Sequence, residues 1–215
     1  MNSSTLNAEE GGRKLTGHYY SHRPDTPHDR QYWKTELRGH TLQFVSDAGV
    51  FSKGGVDFGS RVLIEHMDIP DGAQVLDVGC GYGPIGMAAA KLAPQGHVTM
   101  VDVNERALEL TRENAERNAI TNVTVLKSDG LNGIGSSTFD VILTNPPIRA
   151  GKEVVHRIFE QSQGHLNARG ALWIVIQKKQ GAPSAEAKLR ELFGEEQVEL
   201  VAKEKGYRIY RAVKE

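Results

Sequence analysis

A glycine-rich loop is the first segment of the sequence whose residue types could bind a ligand. Gly79, Gly81 and Gly83 follow the apolar run Val75–Val78, and the helical segment Ile85–Leu92 comes next. Glycines at a strand-to-helix junction let the backbone turn sharply and lie flat against a ligand, and the helix N-terminus offers unpaired N–H groups. We therefore expect a small molecule to bind at this junction.

Two kinds of ligand fit this loop. The residues from Gly81 to Gly86 match the dinucleotide fingerprint, and Asp102 lies 21 residues after Gly81, so a nicotinamide-dependent oxidoreductase is one interpretation. Asp77 stands just before the glycines and favours the other interpretation. A carboxylate there would repel a pyrophosphate and attract a cationic ammonium or sulfonium group.

Two further acids follow the next predicted strands. Asp102 ends the second strand and is placed to accept two hydrogen bonds from ribose hydroxyls, and Asp129 follows the third strand and could accept from an adenine amine. Acids at strand ends can also do no more than cap the following helix or turn. Because three acids stand at three successive strand ends, we favour a shared nucleoside site.

The fourth predicted strand runs directly into the segment Asn145-Pro146-Pro147-Ile148. Two prolines fix φ and remove two N–H donors, so oxygens of this segment can point into the crevice at the carboxyl edge of the sheet. The Asn145 side-chain oxygen and the Pro146 carbonyl oxygen would hold both N–H groups of an exocyclic amine, which makes its nitrogen nucleophilic. A rigid Pro-Pro loop without chemistry is the alternative.

These residues need strands that end on the same side of a sheet. From residue 71 onward, short apolar runs alternate with helical stretches, which predicts a doubly wound α/β fold with a mostly parallel, seven-stranded sheet and helices on both faces. The predicted strands are Val75–Val78, Val98–Val103, Val123–Leu126, Val141–Thr144, Ala171–Ile176, Val198–Ala202 and Tyr207–Val213. The predicted helices are Ile85–Leu92, Glu105–Asn118, Lys152–His165 and Ala185–Phe193. The last two strands are joined without room for a helix, so they should pair antiparallel at one edge.

The N-terminal region is polar and turn-rich. We interpret residues 1–40 as an arm with at most a short helix around Gln31–Arg38. Thr41–Val45 and Val50–Phe51 flank a turn at Asp47–Gly49, which predicts a hairpin between them.

Asp57 is predicted to cap a helix that runs to about Met67. The expected domains are an N-terminal arm, 1–40, and a domain of residues 41–215. We expect the second domain to comprise the hairpin and helix, 41–70, and the α/β core, 71–215.

The composition indicates a soluble protein of the cytoplasm. The 215 residues are 39% hydrophobic and 25% charged, which suits one domain with a small appendage, and no apolar run is long enough to span a membrane. The first ten residues do not resemble a signal peptide. Cys80 is the only cysteine, which excludes an internal disulfide, and we expect it to be buried. The histidines have no recognisable metal spacing, so no metal is expected.

Charge is unevenly distributed along the chain. The net charge is −1, but residues 149–215 carry 13 Lys and Arg against 9 Asp and Glu, which leaves 13 against 18 in the rest. A modest basic surface on the C-terminal third is one interpretation, and a solvated surface of mixed charge is the other.

Together, the glycine loop from Asp77, the acids Asp102 and Asp129, and the Asn145-Pro-Pro-Ile segment resemble the class I S-adenosylmethionine-dependent methyltransferases that modify exocyclic amines. More narrowly, the segments His18–Tyr20, Phe44–Ser52 and Val56–Ser60 resemble the small-methyltransferase-domain family, whose named members are bacterial 16S ribosomal RNA guanine-N2 methyltransferases. Larger members carry a degenerate first copy of the domain, so this chain resembles the single-domain form.

The resemblance implies a role for each motif residue. Gly79, Gly81 and Gly83 would line the methionine and ribose part of S-adenosylmethionine, with Asp77 near the ammonium group. Asp102 would bind the ribose and Asp129 the adenine.

The resemblance also implies where the substrate amine binds. Asn145 and Pro146 would hold the target amine. Pro147 and Ile148 complete the same motif. The stretch with Phe51 and Ser52 would close over the methionine end of the cofactor.

The resemblance implies methyl transfer to guanine N2 of small-subunit ribosomal RNA, with ribosomal RNA or the small subunit as partner and no obligate protein partner. Ile148 stands where many amine methyltransferases have an aromatic ring, which lowers the case for adenine N6 or a protein glutamine. The sequence also leaves open an oxidoreductase and a catalytically idle RNA-binding assembly factor. Arg149, Lys152, Lys178 and Lys179 are expected near the crevice mouth, where they could contact RNA.

Overall fold

A computed structural model describes residues 26–215, and these residues form nine strands and five α-helices. The strands are β1 (Gln31–Leu37), β2 (His40–Ser46), β3 (Gln74–Val78), β4 (His97–Asp102), β5 (Val123–Lys127), β6 (Phe139–Thr144), β7 (Leu166–Gln177), β8 (Val198–Glu204) and β9 (Tyr207–Val213). The helices are α1 (Phe58–His66), α2 (Pro84–Leu92), α3 (Glu105–Arg117), α4 (Lys152–His165) and α5 (Ala182–Phe193).

Seven of the strands form one sheet in the order β5-β4-β3-β6-β7-β9-β8. Strands β3 to β7 are parallel, and β9 is antiparallel to both of its neighbours. The prediction of a mostly parallel, seven-stranded, doubly wound sheet with an antiparallel C-terminal edge is therefore confirmed. The chain moves outward in opposite directions from β3 and β6, so a crevice opens between their carboxyl ends.

Two apolar clusters cover the two faces of the sheet. Helices α1, α2 and α3 pack on one face together with the β1–β2 hairpin, and α4 and α5 pack on the other. Neighbouring strand residues alternate between the clusters, as Val75 and Leu76 show. Both faces are buried, which explains why the central strands are continuous apolar runs.

Helix boundaries follow local capping signals. Asp57 accepts a hydrogen bond from the Ser60 backbone N–H and caps α1, and Asn104 caps α3 in the same way by accepting from Ala107. The helix predicted from Asp57 and the four helices of the core are all present, and α4 has the predicted ends.

The N-terminal hairpin differs from the prediction. Gln31–Leu37 is a strand and not a short helix, and it pairs with β2 along its whole length. The two residues between these strands, Arg38 and Gly39, both have positive φ, as a type I′ turn requires. The proposed hairpin partner Val50–Phe51 instead belongs to a loop of residues 47–56.

Two expected absences and the expected burial of Cys80 can be compared with the described residues. Within residues 26–215, no helix is long and apolar enough to cross a membrane, and no cluster of histidine, cysteine and acidic residues could hold a metal ion. Cys80 is buried, as predicted. The motif His18–Tyr20 lies outside the described residues.

Candidate active site

A cavity of about 460 Å³ lies at the carboxyl edge of the sheet, where β3 and β6 end side by side. Its walls come from the loops that follow β3, β4, β5 and β6, together with the 47–56 loop and the start of α1. The volume is within the usual range for a small-molecule or cofactor site. Ten of the twelve residues that the sequence singled out line it: Phe51, Ser52, Gly79, Gly81, Asp102, Asp129, Asn145, Pro146, Pro147 and Ile148.

The glycine loop presents bare backbone to this cavity. Gly79 and Gly81 have φ values of 75° and 59°, which only glycine adopts easily, and a Cβ on either would meet no atom within 4 Å. Side chains there would therefore project into open cavity space. The bare backbone fits a ligand that lies flat on the loop, which is how a nucleoside cofactor is expected to bind.

Gly83 has a different role from the other two. It is the N-cap of α2 with a φ of 99°, and a Cβ would lie 2.6 Å from Cε of Met87. Gly83 therefore permits the tight turn into the helix and does not line the cavity.

Asp77 lies beneath the loop rather than on the cavity wall. Its side chain is fully buried, and its Oδ2 accepts from the Gly86 backbone N–H at 2.8 Å. Its Oδ1 has no hydrogen-bond partner among the described residues. Burial, with a smaller contribution from the charge of Asp102, raises the pKa of Asp77 to about 7. An unpaired buried acceptor behind the glycines fits a ligand that brings a cation or a donor.

Asp102 connects the end of β4 to the glycine loop. One carboxylate oxygen accepts from the Gly81 N–H and the other from the Asn104 N–H, both at 2.9 Å. Burial raises the pKa of Asp102 although backbone N–H groups of Asn104, Gly81 and Val103 favour the charged form. The carboxylate lines the cavity, so it could accept from a hydroxyl group of a ribose.

Asp129 lies at the outer end of the cavity and already has a partner. Its Oδ1 accepts from Arg157 at 2.7 Å, and both side chains are about half exposed. The proposed contact of Asp129 with adenine therefore stays a prediction, and any ligand there must share the carboxylate with Arg157.

Asn145 is held in one orientation by the start of α1. Its Nδ2 lies 3.0 Å from the Ser60 hydroxyl and 3.4 and 3.5 Å from the two carboxylate oxygens of Asp57. A carboxylate only accepts hydrogen bonds, so the amide nitrogen must face it. In the described part of the chain all side-chain hydrogen bonds of Asn145 leave from Nδ2, and Oδ1 is left to accept from a ligand.

The two prolines shape the second acceptor. Pro147 has φ −74° and ψ 77°, the geometry of an inverse γ-turn, and the Pro146 carbonyl accepts from the Ile148 N–H at 2.9 Å. The Pro146 oxygen therefore offers one remaining lone pair to a ligand. Ile148 packs partly into the α4–α5 cluster.

The 47–56 loop covers one side of the cavity. Two of its backbone carbonyls accept hydrogen bonds from side chains outside the loop. The Tyr82 hydroxyl donates to the carbonyl of Gly55 at 2.9 Å, and the Asn104 amide donates to the carbonyl of Gly49 at 2.8 Å. Phe51 on this loop is 42% exposed although it lines the cavity. An exposed aromatic side chain over a cavity is well placed to pack on a bound ligand.

Several wall residues were not recognised from the sequence. Asp57 was recognised only as a helix cap, and Ser60 and Tyr207 not at all. Tyr207 reaches the cavity because β9 runs antiparallel and begins at this edge, where its ring packs 5.6 Å from that of Phe58. The spacing from Asp57 to Ser60 could have suggested a polar pair, but only the fold brings it to Asn145.

The site distinguishes between the two interpretations of the glycine loop. Asp102 puts a carboxylate on the cavity wall beside the position that a dinucleotide pyrophosphate would take, and hydride transfer has no use for the acceptors at Asn145 and Pro146. The molecule is therefore of the class of Rossmann-like, S-adenosylmethionine-dependent methyltransferases. Residues 41–211 match the methyltransferase small domain family, and the chain belongs to that family. The oxidoreductase interpretation is thereby removed.

Known proteins similar to this chain include ribosomal RNA methyltransferases. A Bacillus subtilis protein described as uncharacterized, YbxB, is 55% identical over 93% of this chain and 100% of its own length. The ribosomal RNA large subunit methyltransferase G of Pseudomonas putida is 36% identical over 89% of this chain and 52% of its own length.

The solved structure of the T. thermophilus 16S rRNA N2 guanine methyltransferase RsmC, in complex with AdoMet and guanosine, is also similar. It superposes with a TM-score of 0.78 at 26% identity, over 89% of this chain and 52% of that one. This chain thus spans about half the length of the named ribosomal RNA methyltransferases that it matches. The family uses S-adenosylmethionine as its cofactor.

Proposed function

We propose that this protein transfers a methyl group from S-adenosylmethionine to the N2 amine of a guanine in ribosomal RNA of the small subunit, in the cytoplasm. The observation that carries the proposal is the orientation of Asn145, whose amide nitrogen is held by Ser60 and Asp57 so that Oδ1 can accept from an amine. Membership of the family and the guanosine bound to the similar RsmC enzyme support the choice of guanine.

The acceptors activate the amine in this mechanism. The lone pair of an exocyclic amine is delocalised into the ring, and it becomes localised when both N–H groups are held by acceptors that favour a pyramidal nitrogen. Oδ1 of Asn145 and the remaining lone pair of the Pro146 carbonyl are the two acceptors. S-adenosylmethionine supplies an electrophilic methyl group on a sulfonium.

The chain needs no nucleophile of its own. The lone pair of N2 forms the new N–C bond, the pair of the C–S bond remains on sulfur, and the amine loses its proton afterwards. Because the methylated nitrogen is acidic, this proton can leave without a dedicated base. Positioning by the glycine loop, Asp102 and Asn145 supplies most of the acceleration.

Large-subunit ribosomal RNA is a second candidate substrate. The observation that favours it is the 36% identity to proteins described as ribosomal RNA large subunit methyltransferase G. The chemistry at Asn145 would be unchanged, because the same acceptor pair would hold the amine.

The experiment is methylation of unmodified RNA. The protein is incubated with labelled S-adenosylmethionine and transcripts of Bacillus subtilis 16S or 23S ribosomal RNA, and with the corresponding subunits from cells that lack the relative YbxB. The RNA is then digested to nucleosides, the labelled nucleoside is identified by mass spectrometry, and the modified position is mapped. An Asn145→Ala variant is the control for activity from contaminating enzymes.

The proposal expects N2-methylguanosine in small-subunit RNA. The same nucleoside in large-subunit RNA would favour the second candidate. Labelled N6-methyladenosine would support methyl transfer to an exocyclic amine but would show that the target base is adenine and not guanine. No label in any RNA, with demonstrable binding of the cofactor, would contradict a ribosomal RNA substrate and favour an idle assembly factor or a protein substrate.

A further inference from the structure

We propose that Asp57 is the residue that selects guanine over adenine in this site, by accepting a hydrogen bond from N1–H of the target base. This inference rests on the proposed function and adds a specificity determinant to it. Asp57 lines the cavity beside Asn145, with its carboxylate oxygens 3.4 and 3.5 Å from the Asn145 amide nitrogen.

Three residues at this part of the cavity wall contribute hydrogen-bond acceptors. Asp57 contributes carboxylate oxygens, Asn145 contributes Oδ1 and Pro146 contributes a carbonyl. Asp57 and Asn145 are in direct contact, so a base whose amine is held by Asn145 can bring one of the two ring atoms beside that amine within reach of Asp57. The chemical character of that ring atom then decides whether the base fits.

Guanine and adenine differ at this ring atom. The N2 amine of guanine lies between N3 and N1–H, so guanine can turn a ring donor towards Asp57. The N6 amine of adenine lies between C5 and the unprotonated N1, and neither of these atoms is a donor. A carboxylate attracts the N1–H of guanine and repels the unprotonated N1 of adenine. A site that must hydrogen-bond a donor rejects a ligand without it, because the buried acceptor is left unpaired.

Helix capping alone does not explain the choice of aspartate. Oδ2 of Asp57 accepts from the Ser60 N–H at 3.1 Å, and serine, threonine or asparagine would cap the helix as well. A carboxylate has about four acceptor sites, and the cap uses one of them. The remaining acceptors of Asp57 face Asn145 and the cavity.

The test uses an analogue that lacks the ring donor. 2-Aminopurine keeps the N2 amine of guanine and lacks both N1–H and the O6 carbonyl, and a rate loss that comes from O6 should be the same in wild type and in a variant of Asp57. The guanine mapped above is replaced by 2-aminopurine through splinted ligation, and methyl transfer is measured under single turnover for wild type, Asp57→Asn and Asp57→Ser. The Asp57→Asn side chain can still cap α1 and can donate from its amide nitrogen to an unprotonated N1.

Wild type should methylate the guanine RNA roughly 10- to 100-fold faster than the 2-aminopurine RNA, the scale of one hydrogen bond to a charged group. Asp57→Asn should bring the ratio of the two rates near one or invert it. A loss that came only from misplacing Asn145 would slow both RNAs equally and leave the ratio unchanged, so an unchanged ratio overturns the proposal. Asp57→Ser keeps the cap with a smaller side chain, and it provides the comparison if Asp57→Asn does not fold.

The matched control is Asp68→Asn, which removes an exposed acid just after α1 and should leave the ratio of the two rates as in wild type.

The experiment distinguishes a failure of the proposed function from a failure of the role of Asp57. If wild type produces no N2-methylguanosine, the proposed function is wrong and the role of Asp57 is wrong with it. If wild type produces it and Asp57→Asn keeps the wild-type ratio, only the role of Asp57 is wrong.

Discussion

The two ends of the Asn145 side-chain amide have different roles. Its amide nitrogen is bound to the protein through Ser60 and Asp57, and its amide oxygen is the acceptor that we propose for the substrate amine. An aspartate at this position would be repelled by Asp57, and a serine would be too short to reach both sides. An asparagine is therefore the residue that can be held by acceptors and still present an acceptor.

Replacement of Asn145 by alanine should slow turnover by roughly 100-fold or more, the usual loss for one oriented polar partner at a reacting centre. The affinity for S-adenosylmethionine should stay near the wild-type value, because the proposed partner of Asn145 is the amine of the substrate and not the cofactor. Rates of methyl transfer and calorimetric titration of the cofactor check the two parts. Unchanged turnover would exclude the proposed role of Asn145.

Replacement of Asp102 should weaken cofactor binding, in contrast to replacement of Asn145, which should slow methyl transfer. Asp102→Ala removes the acceptor for the expected ribose hydroxyls and the bond to the Gly81 N–H, so cofactor affinity should fall by roughly 10- to 100-fold. Calorimetry with S-adenosylhomocysteine measures this loss, with Glu109→Ala on the exposed surface of α3 as control. Equal affinity in the variant and wild type would place Asp102 outside the binding site.

Burial of Asp77 should make the cofactor-free protein less stable at neutral pH. Its folded-state pKa of about 7 is above the ordinary value of 3.8, so the folded state holds the proton more tightly than the unfolded chain. The stability contribution of Asp77 is therefore fully present below about pH 4, and it is lost as the pH rises to about 7.

Asp77→Asn removes this titration and should stabilise the cofactor-free protein at pH 8. Three pKa units correspond to at most about 4 kcal/mol, and little difference is expected at pH 4. Urea denaturation at the two pH values measures the gap between variant and wild type. A gap that does not change with pH would show that Asp77 does not titrate in this range.

At the scale of elements, the site depends on contacts between segments far apart in sequence. The start of α1 orients the loop after β6, and β9 carries Tyr207 to the same wall. Helix α3 joins the hairpin to the glycine loop through Asn114, whose Nδ2 donates to the carbonyls of Val45 and Tyr82 and whose Oδ1 accepts from the Val45 N–H. The N-terminal hairpin is thus connected to the glycine loop through the buried side chain of Asn114.

Asn114→Asp should therefore destabilise the protein strongly. Asn114 is fully buried, and the new carboxyl group would leave at least one of the two carbonyls without a donor, at a cost of about 2–4 kcal/mol. Asn118→Asp is the matched control, since Asn118 makes the same pair of bonds to Gln43 at a more exposed position and should cost about 1 kcal/mol or less. Chemical denaturation checks both, and equal losses would contradict this account.

At the scale of the whole molecule, basic side chains collect at the edge of the sheet where the cavity opens. The segment after β6 brings Arg149 and Lys152, and the segment after β7 brings Lys178 and Lys179. The β8–β9 turn adds Lys205 to the same edge, because an antiparallel strand begins where its parallel neighbours end. The net charge of −1 conceals this arrangement, which suits contacts with RNA phosphates.

RNA binding should therefore weaken as salt increases. The double replacement of Lys178 and Lys179 by glutamine should reduce the slope of log affinity against log salt by about 1–2, since each phosphate contact contributes about 0.7–0.9. Filter binding of ribosomal RNA transcripts at several salt concentrations measures the slope. The control is Arg169→Gln, because Arg169 is exposed at the opposite edge of the sheet. Equal slopes in the two variants would show that Lys178 and Lys179 do not contact RNA phosphates.

The sequence by itself determined the order of strands and helices in the core and the segments that line the cavity. Apolar periodicity and capping signals act over a few residues, and parallel strands necessarily bring their carboxyl ends, with Gly79, Asp102 and Asn145, to one edge. The β1–β2 hairpin was not predicted from the sequence. Its turn, Arg38-Gly39, lacks the Asn-Gly pair that usually indicates a two-residue hairpin, and a strand as short as β1 is difficult to distinguish from a short helix by its pattern alone.

Only the tertiary structure decided which side chains face one another. The contact of Asn145 with Asp57 and Ser60 joins residues more than 80 positions apart, and no local pattern encodes it. Asp77 shows the same limit, since its spacing suggested a cavity residue and packing instead places it beneath the loop. Side-chain direction, burial and the resulting pKa depend on how helices pack on the sheet, which is a property of the assembled fold.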